Sequence, residues 1–127
     1  MKTAANILVA FVALQHLAFL VLEMFLWTSP TGMRVFGTTP EFAAESAALA
    51  ANQGLYNGFL AAGLVWGLIA EGESFRIKVF FLACVVIAGI FGGLTAKPTI
   101  VLVQGLPALV ALVLVWFSRS RDRSYDQ

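Results

Sequence analysis

The sequence predicts an all-α integral membrane protein, a four-helix bundle with both termini in the cytoplasm. The chain has 127 residues, of which 60% are hydrophobic and 12% are charged, and its mean hydropathy is +0.87. Because a soluble domain carries about 25% charged residues, this composition is typical of a membrane protein. The net charge of +1 and the one cysteine exclude charge-driven nucleic-acid binding and an internal disulfide. We expect one transmembrane domain over residues 1–127.

Four apolar segments are long enough to cross a hydrocarbon layer of about 30 Å, which takes about 20 helical residues. The first is too long for a signal peptide and has no cleavage site after it, so we expect a retained helix. Lys97-Pro98 separates the last two segments, since proline interrupts a helix. We expect a frayed polar tail over residues 118–127. The predicted helices cover about residues 5–27, 47–70, 79–96 and 99–117.

The connection between the first two segments carries a turn signal and a helix-start signal. Ser29-Pro30-Thr31-Gly32 is a cluster of turn residues. Thr39-Pro40-Glu41 has the order of an N-cap, a first-position proline and a first-turn acid. The second helix is therefore expected to begin near Pro40, before it enters the bilayer.

Basic residues predict the orientation. Cytoplasmic loops of membrane proteins carry an excess of lysine and arginine. With four crossings, Arg34 and Lys97 fall on one side of the membrane and six basic residues fall on the other. The side with six basic residues is predicted to be cytoplasmic. The six are Lys2, Arg76, Lys78, Arg119, Arg121 and Arg123.

Polar side chains inside the predicted spans are the candidate ligand-binding residues. A polar group in hydrocarbon is costly unless it has a partner or faces a cavity. At a rise of about 1.5 Å per residue, these side chains lie in the middle or outer half of the bilayer. Their common depth predicts one pocket. The candidates are His16, Glu23, Asn52, Gln53, Tyr56, Asn57 and Gln104.

Helical spacing predicts which of these side chains share a face. His16 and Glu23 are two turns apart on the first helix, and Asn52 and Tyr56 are one turn apart on the second. We expect the second helix to contact the first through this Asn52–Tyr56 face. His16 should then face Tyr56 or Asn57.

Two glycine stripes predict close helix packing. Gly54 and Gly58 lie on the second predicted helix, and Gly89 and Gly93 lie on the third. This spacing lets helix backbones approach closely. We expect these faces to join the second and third helices, or to form a homodimer contact.

Three classes of function fit these residues. The first is binding or transport of a small amphipathic or lipophilic molecule, such as a lipid, a quinone or a hydrophobic toxin, in the outer-half pocket. The second is a membrane isomerase or hydrolase of a lipophilic substrate, with His16 and Glu23 as acid and base and Tyr56 orienting the substrate. The third is a structural or accessory subunit in which the polar groups only join helices.

Sequence motifs exclude several enzyme classes. The chain has no phosphate-binding glycine loop, no dinucleotide-binding fingerprint, no nucleophile elbow and no HExxH zinc motif. Nucleotide use and hydrolysis by a serine nucleophile or a zinc ion are therefore not expected. We predict no metal and no cofactor. The expected partners are the lipid bilayer, a small amphipathic or lipophilic molecule and, if a glycine face forms the homodimer contact, a second copy of the chain, but no nucleic acid.

Seven short stretches of the sequence together form a recognisable pattern: His16, Glu23–Trp27, Val35–Gly37, Pro40–Phe42, Ala51–Ala61, Ala88–Gly92 and Gln104–Ala108. Through these residues, almost the whole chain resembles the bacterial family of small membrane proteins known as domain of unknown function 1304. That resemblance implies four membrane helices, here in the bacterial inner membrane, and implies no established activity.

Overall fold

A computed structural model describes residues 1–123 of the protein, with side chains described as far as residue 119. This part of the chain contains five α-helices and one π-helical turn, and it has no strand. The all-α prediction is confirmed, whereas the expected number of four helices is wrong because a helix of 7 residues precedes the second predicted span. The helices are α1 (Lys2–Met24), α2 (Pro30–Phe36), α3 (Pro40–Ile69), α4 (Ser74–Thr95) and α5 (Leu106–Arg123), and the π-helical turn is Val101–Gly105.

The short helix α2 begins within Ser29–Gly32, for which the sequence predicts a turn, and continues to Phe36. The Ser29 hydroxyl accepts from the Gly32 N–H at 3.1 Å and donates to the Leu26 carbonyl at 2.7 Å. It therefore caps a helix whose first residue is Pro30. Gly37 ends the helix with a φ of 66°, a left-handed conformation that glycine adopts without strain.

Helix α3 begins where the sequence predicts. The Thr39 hydroxyl accepts from the Phe42 N–H at 3.2 Å, and Pro40 is the first helical residue. At the other end of the chain, α5 continues to Arg123, so the expected polar tail is helical as far as that residue. Residues 124–127 of the predicted tail lie outside the described part.

The helices have the length and composition of a membrane protein. Within the described residues, three segments could cross a membrane by these criteria: Lys2–Met24, Ser74–Thr95 and Val101–Arg119. Helix α3 has 30 residues but is not among them. Its middle carries Asn52, Gln53 and Asn57, whose amides lower its hydropathy.

The chain forms two compact units. Residues 14–61 form one, which we call the α1–α3 unit because it holds the end of α1, all of α2 and most of α3. Residues 1–13 and 62–127 form the other, which we call the α4–α5 unit.

In the α1–α3 unit, glycines bring α3 against α1. A Cβ atom at Gly54 would lie 2.7 Å from Met24 Cγ, and one at Gly58 would lie 2.6 Å from Leu20 Cδ1. The predicted contact through the Asn52–Tyr56 face is wrong, since the glycine face allows a closer approach and occupies this position. This glycine stripe also contacts the first span rather than the third, contrary to expectation.

In the α4–α5 unit, α4 packs against α5 and the π-helical turn. A Cβ atom at Gly89 would lie 2.7 Å from the Cα and N atoms of Gly105, so the two backbones touch. Pro107 has no N–H to offer the preceding turn, and the chain widens there, with the Leu106 N–H bonded to the Val101 carbonyl. Both glycine stripes thus pack within the chain, and a homodimer stays a prediction.

Candidate functional site

A buried acid–amide pair joins α1 and α3. Asn57 Nδ2 donates to Glu23 Oε2 at 2.6 Å. Asn57 is buried and Glu23 is half-buried, and a short hydrogen bond to a carboxyl oxygen is among the stronger polar contacts in proteins. The pair is possible because Gly54, one turn before, removes the side chain that would hold the helices apart. The structure thus brings two of the predicted site residues into contact.

His16 lies inside the protein. Its side chain has 0% exposure, and its ring meets Phe19 edge to face at a centroid distance of 5.6 Å. The burial of His16 excludes an orientation toward lipid, whereas the predicted contact with Tyr56 or Asn57 stays a prediction. His16 lies seven residues before Glu23 on the same helix, which corresponds to a rise of about 10 Å along the axis. The two side chains are therefore too far apart to exchange a proton directly.

One face of α3 presents polar side chains on its surface. Asn52, Gln53 and Tyr56 are exposed, and they alternate with the exposed apolar residues Leu49 and Phe59. We call these five residues the amide face. Tyr56 contacts the Phe59 ring, whereas the Asn52 and Gln53 amides have no hydrogen-bond partner among the residues that the structure describes. Three of the predicted site residues are therefore exposed on the surface of the isolated chain.

Gln104, the last predicted site residue, belongs to the α4–α5 unit. It lies in the π-helical turn and is half-buried. Its carbonyl carbon would lie 3.5 Å from a Cβ atom at Gly89, so its backbone takes part in the close contact with α4. Turns of this kind occur frequently at functional sites.

A second buried polar pair was not predicted. Lys78 Nζ donates to Asn6 Oδ1 at 3.0 Å, and Lys78 is only 7% exposed. The lysine stem lies over Gly67, where a Cβ atom would be 2.7 Å from Lys78 Cγ. From the sequence, Lys78 was predicted only to lie on the cytoplasmic side. A lysine followed by an apolar run, with a glycine on a neighbouring helix, is the signal that could have indicated its burial.

The end of the α1–α3 unit near α2 is closed by aromatic and hydroxyl contacts. Trp27 Nε1 donates to Ser46 Oγ at 3.1 Å, and Ser46 Oγ in turn donates to the Phe42 carbonyl at 2.6 Å. The Trp27 ring lies 4.7 Å from the ring of Phe36 in α2. These contacts fix the end of α1 against the start of α3, and so position Glu23.

The donor set of the described residues is not that of a metal centre. No group of three or more His, Cys, Asp or Glu side chains among them could hold a metal ion. The chemistry that the arrangement offers is hydrogen bonding by amides, a phenol and a carboxyl group.

Comparisons with known proteins agree on one relationship. A family model described as Protein of unknown function (DUF1304) matches residues 10–116. A relative from Lactococcus lactis subsp. lactis (strain IL1403), named uncharacterized protein YpaA, is 33% identical over 113 residues, which cover 87% of this chain and 95% of the relative. No solved structure matches the chain. The chain therefore belongs to the DUF1304 family.

Proposed function

We propose that the α1–α3 unit binds one small amphipathic or lipophilic molecule against the amide face. The observation that carries this proposal is the exposure of Asn52 and Gln53 on a helix whose next amide residue, Asn57, is buried and bonded. An amide without a partner in an apolar medium costs roughly 1–3 kcal/mol. A polar group of a bound molecule would remove that cost.

The amide face faces hydrocarbon only if α3 crosses the membrane, and its length and flanking charges support this. Its 30 residues span about 45 Å at 1.5 Å per residue, more than the hydrocarbon thickness of about 30 Å. If α3 crosses as well, the chain has four crossings, and Arg76 lies on the same side as Lys2 and Arg119. With three crossings, Lys2 and Arg76 would lie on opposite sides. The proposed protein is thus a single transmembrane domain of four crossings in the bacterial inner membrane, with both termini cytoplasmic.

The amide face suits a ligand with an apolar body and a polar head. Leu49 and Phe59 would contact the body, while Asn52 and Gln53 offer both donors and acceptors to the head. The Glu23 carboxyl group nearby would favour a neutral or cationic head over an anionic one. The ligand-binding roles predicted for His16 and Gln104 from the sequence stay predictions.

Other functions are less well supported. An enzyme would need His16 at the substrate, and its complete burial does not favour that role. A purely structural subunit would need its polar groups paired, which holds for Asn57 and does not hold for Asn52 and Gln53 in the isolated chain. A second copy of the chain could supply partners for these amides, and native mass spectrometry distinguishes such a dimer from a chain with a bound small molecule.

Native mass spectrometry of the purified protein, with lipid extraction and identification, tests the proposal. We expect one small molecule per chain in the wild type and none in the Asn52→Ala/Gln53→Ala double variant. Because both side chains are exposed, the double variant should fold normally. Val65→Ala is the matched control, since Val65 is an exposed residue of α3 about three turns beyond Asn52 and Gln53 and on another side of the helix, and it should retain the molecule.

Three outcomes would overturn the proposal. One is a wild type without any bound molecule, and another is a double variant that retains it. The third is a dimer that the double variant dissociates, which would assign the amides to a subunit contact. A bound molecule that is chemically changed, with the change lost in His16→Ala, would favour the enzyme.

A further inference from the structure

An apolar groove runs between α4 and α5 in the α4–α5 unit. It has a volume of about 290 Å³ and is lined by Val79, Leu112, Val113, Trp116 and Phe117. Trp116 and Phe117 are exposed, with 56% and 57% of their surface accessible. Its lining side chains are all apolar, which suits a hydrocarbon chain.

A guanidinium group lies at one end of this groove. Leu112, Trp116 and Arg119 are spaced by four and then three residues on α5, so they follow one face of the helix. Arg119 Cζ lies 4.1 Å from the centre of the Phe75 ring, and the Phe75 ring lies 5.7 Å from that of Trp116. Trp116 therefore belongs both to the groove wall and to the aromatic pair that holds the arginine.

The stacked arginine keeps its donors available. A guanidinium lying over a ring directs its N–H groups outward in its own plane, where they match two oxygens of a phosphate. Its neighbours Lys78 and Arg76 are already bonded, to Asn6 and Glu73 respectively. Arg119 has no carboxylate partner among the residues that the structure describes. Among the basic side chains of this unit that the structure describes, it is thus the one best placed to meet an external anion.

We propose that this groove and Arg119 form a binding site for one anionic phospholipid, with an acyl chain in the groove and the phosphate on the guanidinium. The two features are contiguous, and a phospholipid joins an acyl chain to a phosphate in the same order. The basic character of the site favours an anionic headgroup over a zwitterionic one, since each basic residue near a membrane surface is worth about fivefold in binding. This site is separate in residues and in charge preference from the amide face.

Tryptophan fluorescence in mixed vesicles tests the acyl-chain part of this proposal. In a Trp27→Phe/Trp66→Phe variant, Trp116 is the remaining tryptophan. We expect brominated phosphatidylglycerol to quench it at least about twofold more strongly than brominated phosphatidylcholine at equal mole fraction. Equal quenching by the two lipids would contradict the proposed site, because it would show that Trp116 faces bulk lipid without preference for the anionic one.

Native mass spectrometry with an equal mixture of phosphatidylglycerol and phosphatidylcholine tests the phosphate part, and it uses the otherwise native chain. Arg119→Gln should reduce the preference for phosphatidylglycerol about fivefold, and Arg119→Lys should restore part of it. Arg34→Gln removes the same charge from the α1–α3 unit and should leave the preference unchanged. If Arg34→Gln and Arg119→Gln act alike, the preference reflects overall charge and the site does not exist.

Discussion

The α1–α3 unit and the α4–α5 unit each contain one buried polar pair between helices, and they differ in the polar groups around it. In the α4–α5 unit, Lys78 bonds to Asn6 and the nearby packing is made by glycine and apolar residues. In the α1–α3 unit, Asn57 bonds to Glu23, yet Asn52 and Gln53 one turn away stay exposed. These two amides exceed what packing between the helices needs, and they are the reason for proposing that the α1–α3 unit binds a further molecule.

The side chains of the two pairs also differ in reach. A lysine has a four-carbon stem, so Lys78 can extend its ammonium group toward water if its partner is lost. The shorter Glu23 cannot move its carboxyl group far from the helix. The pair in the α1–α3 unit is therefore expected to be the more sensitive of the two to substitution.

The largest effect is predicted for Asn57→Leu. This change leaves the Glu23 carboxyl group without its amide donor, and it should lower the free energy of unfolding by about 2–3 kcal/mol. Glu23→Gln should cost less, about 1 kcal/mol or below, because its amide oxygen can still accept from Asn57. Unfolding of the purified variants in denaturing detergent, followed by circular dichroism, measures both. An Asn57→Leu protein as stable as the wild type would show that the pair is dispensable.

A somewhat smaller effect is predicted for Gly89→Ala in the α4–α5 unit. The added Cβ atom would lie 2.7 Å from backbone atoms of Gly105, so α4 and the π-helical turn must separate, at about 1–3 kcal/mol. Gly92→Ala is the matched control on the same helix. There the new atom would lie 3.1 Å from a methyl carbon of Ile100, which can rotate away. In the same unfolding assay, Gly89→Ala should have a lower free energy of unfolding than Gly92→Ala. Equal values for the two variants would contradict the backbone contact.

The smallest effect is predicted for Asn6→Leu, which removes the acceptor from Lys78. We expect a loss of about 1 kcal/mol, because the lysine can extend toward the membrane surface. Lys78→Met keeps the length of the apolar stem over Gly67 and tests the packing part alone. A loss for Asn6→Leu larger than that for Asn57→Leu would reverse the comparison between the two units.

Local signals in the sequence predicted much of the fold. The start of α3 follows from Thr39 and Pro40, whose capping chemistry depends only on neighbouring residues. Helix α2 was missed although Ser29, Pro30 and Gly37 mark both its ends, because a serine–proline pair also begins turns. The π-helical turn before Pro107 depends on how the chain accommodates a missing N–H, and sequence spacing does not determine that.

Contacts between helices could not be predicted to the same degree. The membrane depth predicted from the sequence placed Glu23 and Asn57 in one set of polar residues, but it did not identify them as a hydrogen-bonded pair. The face of α3 that contacts α1 was predicted wrongly. The prediction assumed that polar residues form this contact, whereas Gly54 and Gly58 form it. Close backbone packing determines the rotation of α3, and the polar residues then fall where that rotation puts them. Asn6 and Lys78 are 72 residues apart, and nothing local connects them.

The central claim is that the amide face is covered in the membrane by a small molecule, and photo-crosslinking in cells tests it most directly. A benzophenone amino acid would replace Asn52, with replacement of the exposed Val65 on another side of α3 as the control, and the intact mass of the purified chain would be measured after irradiation. We expect one defined small-molecule adduct at position 52 that is absent at position 65. A cross-linked dimer, or the same mixture of phospholipid adducts at both positions, would contradict it.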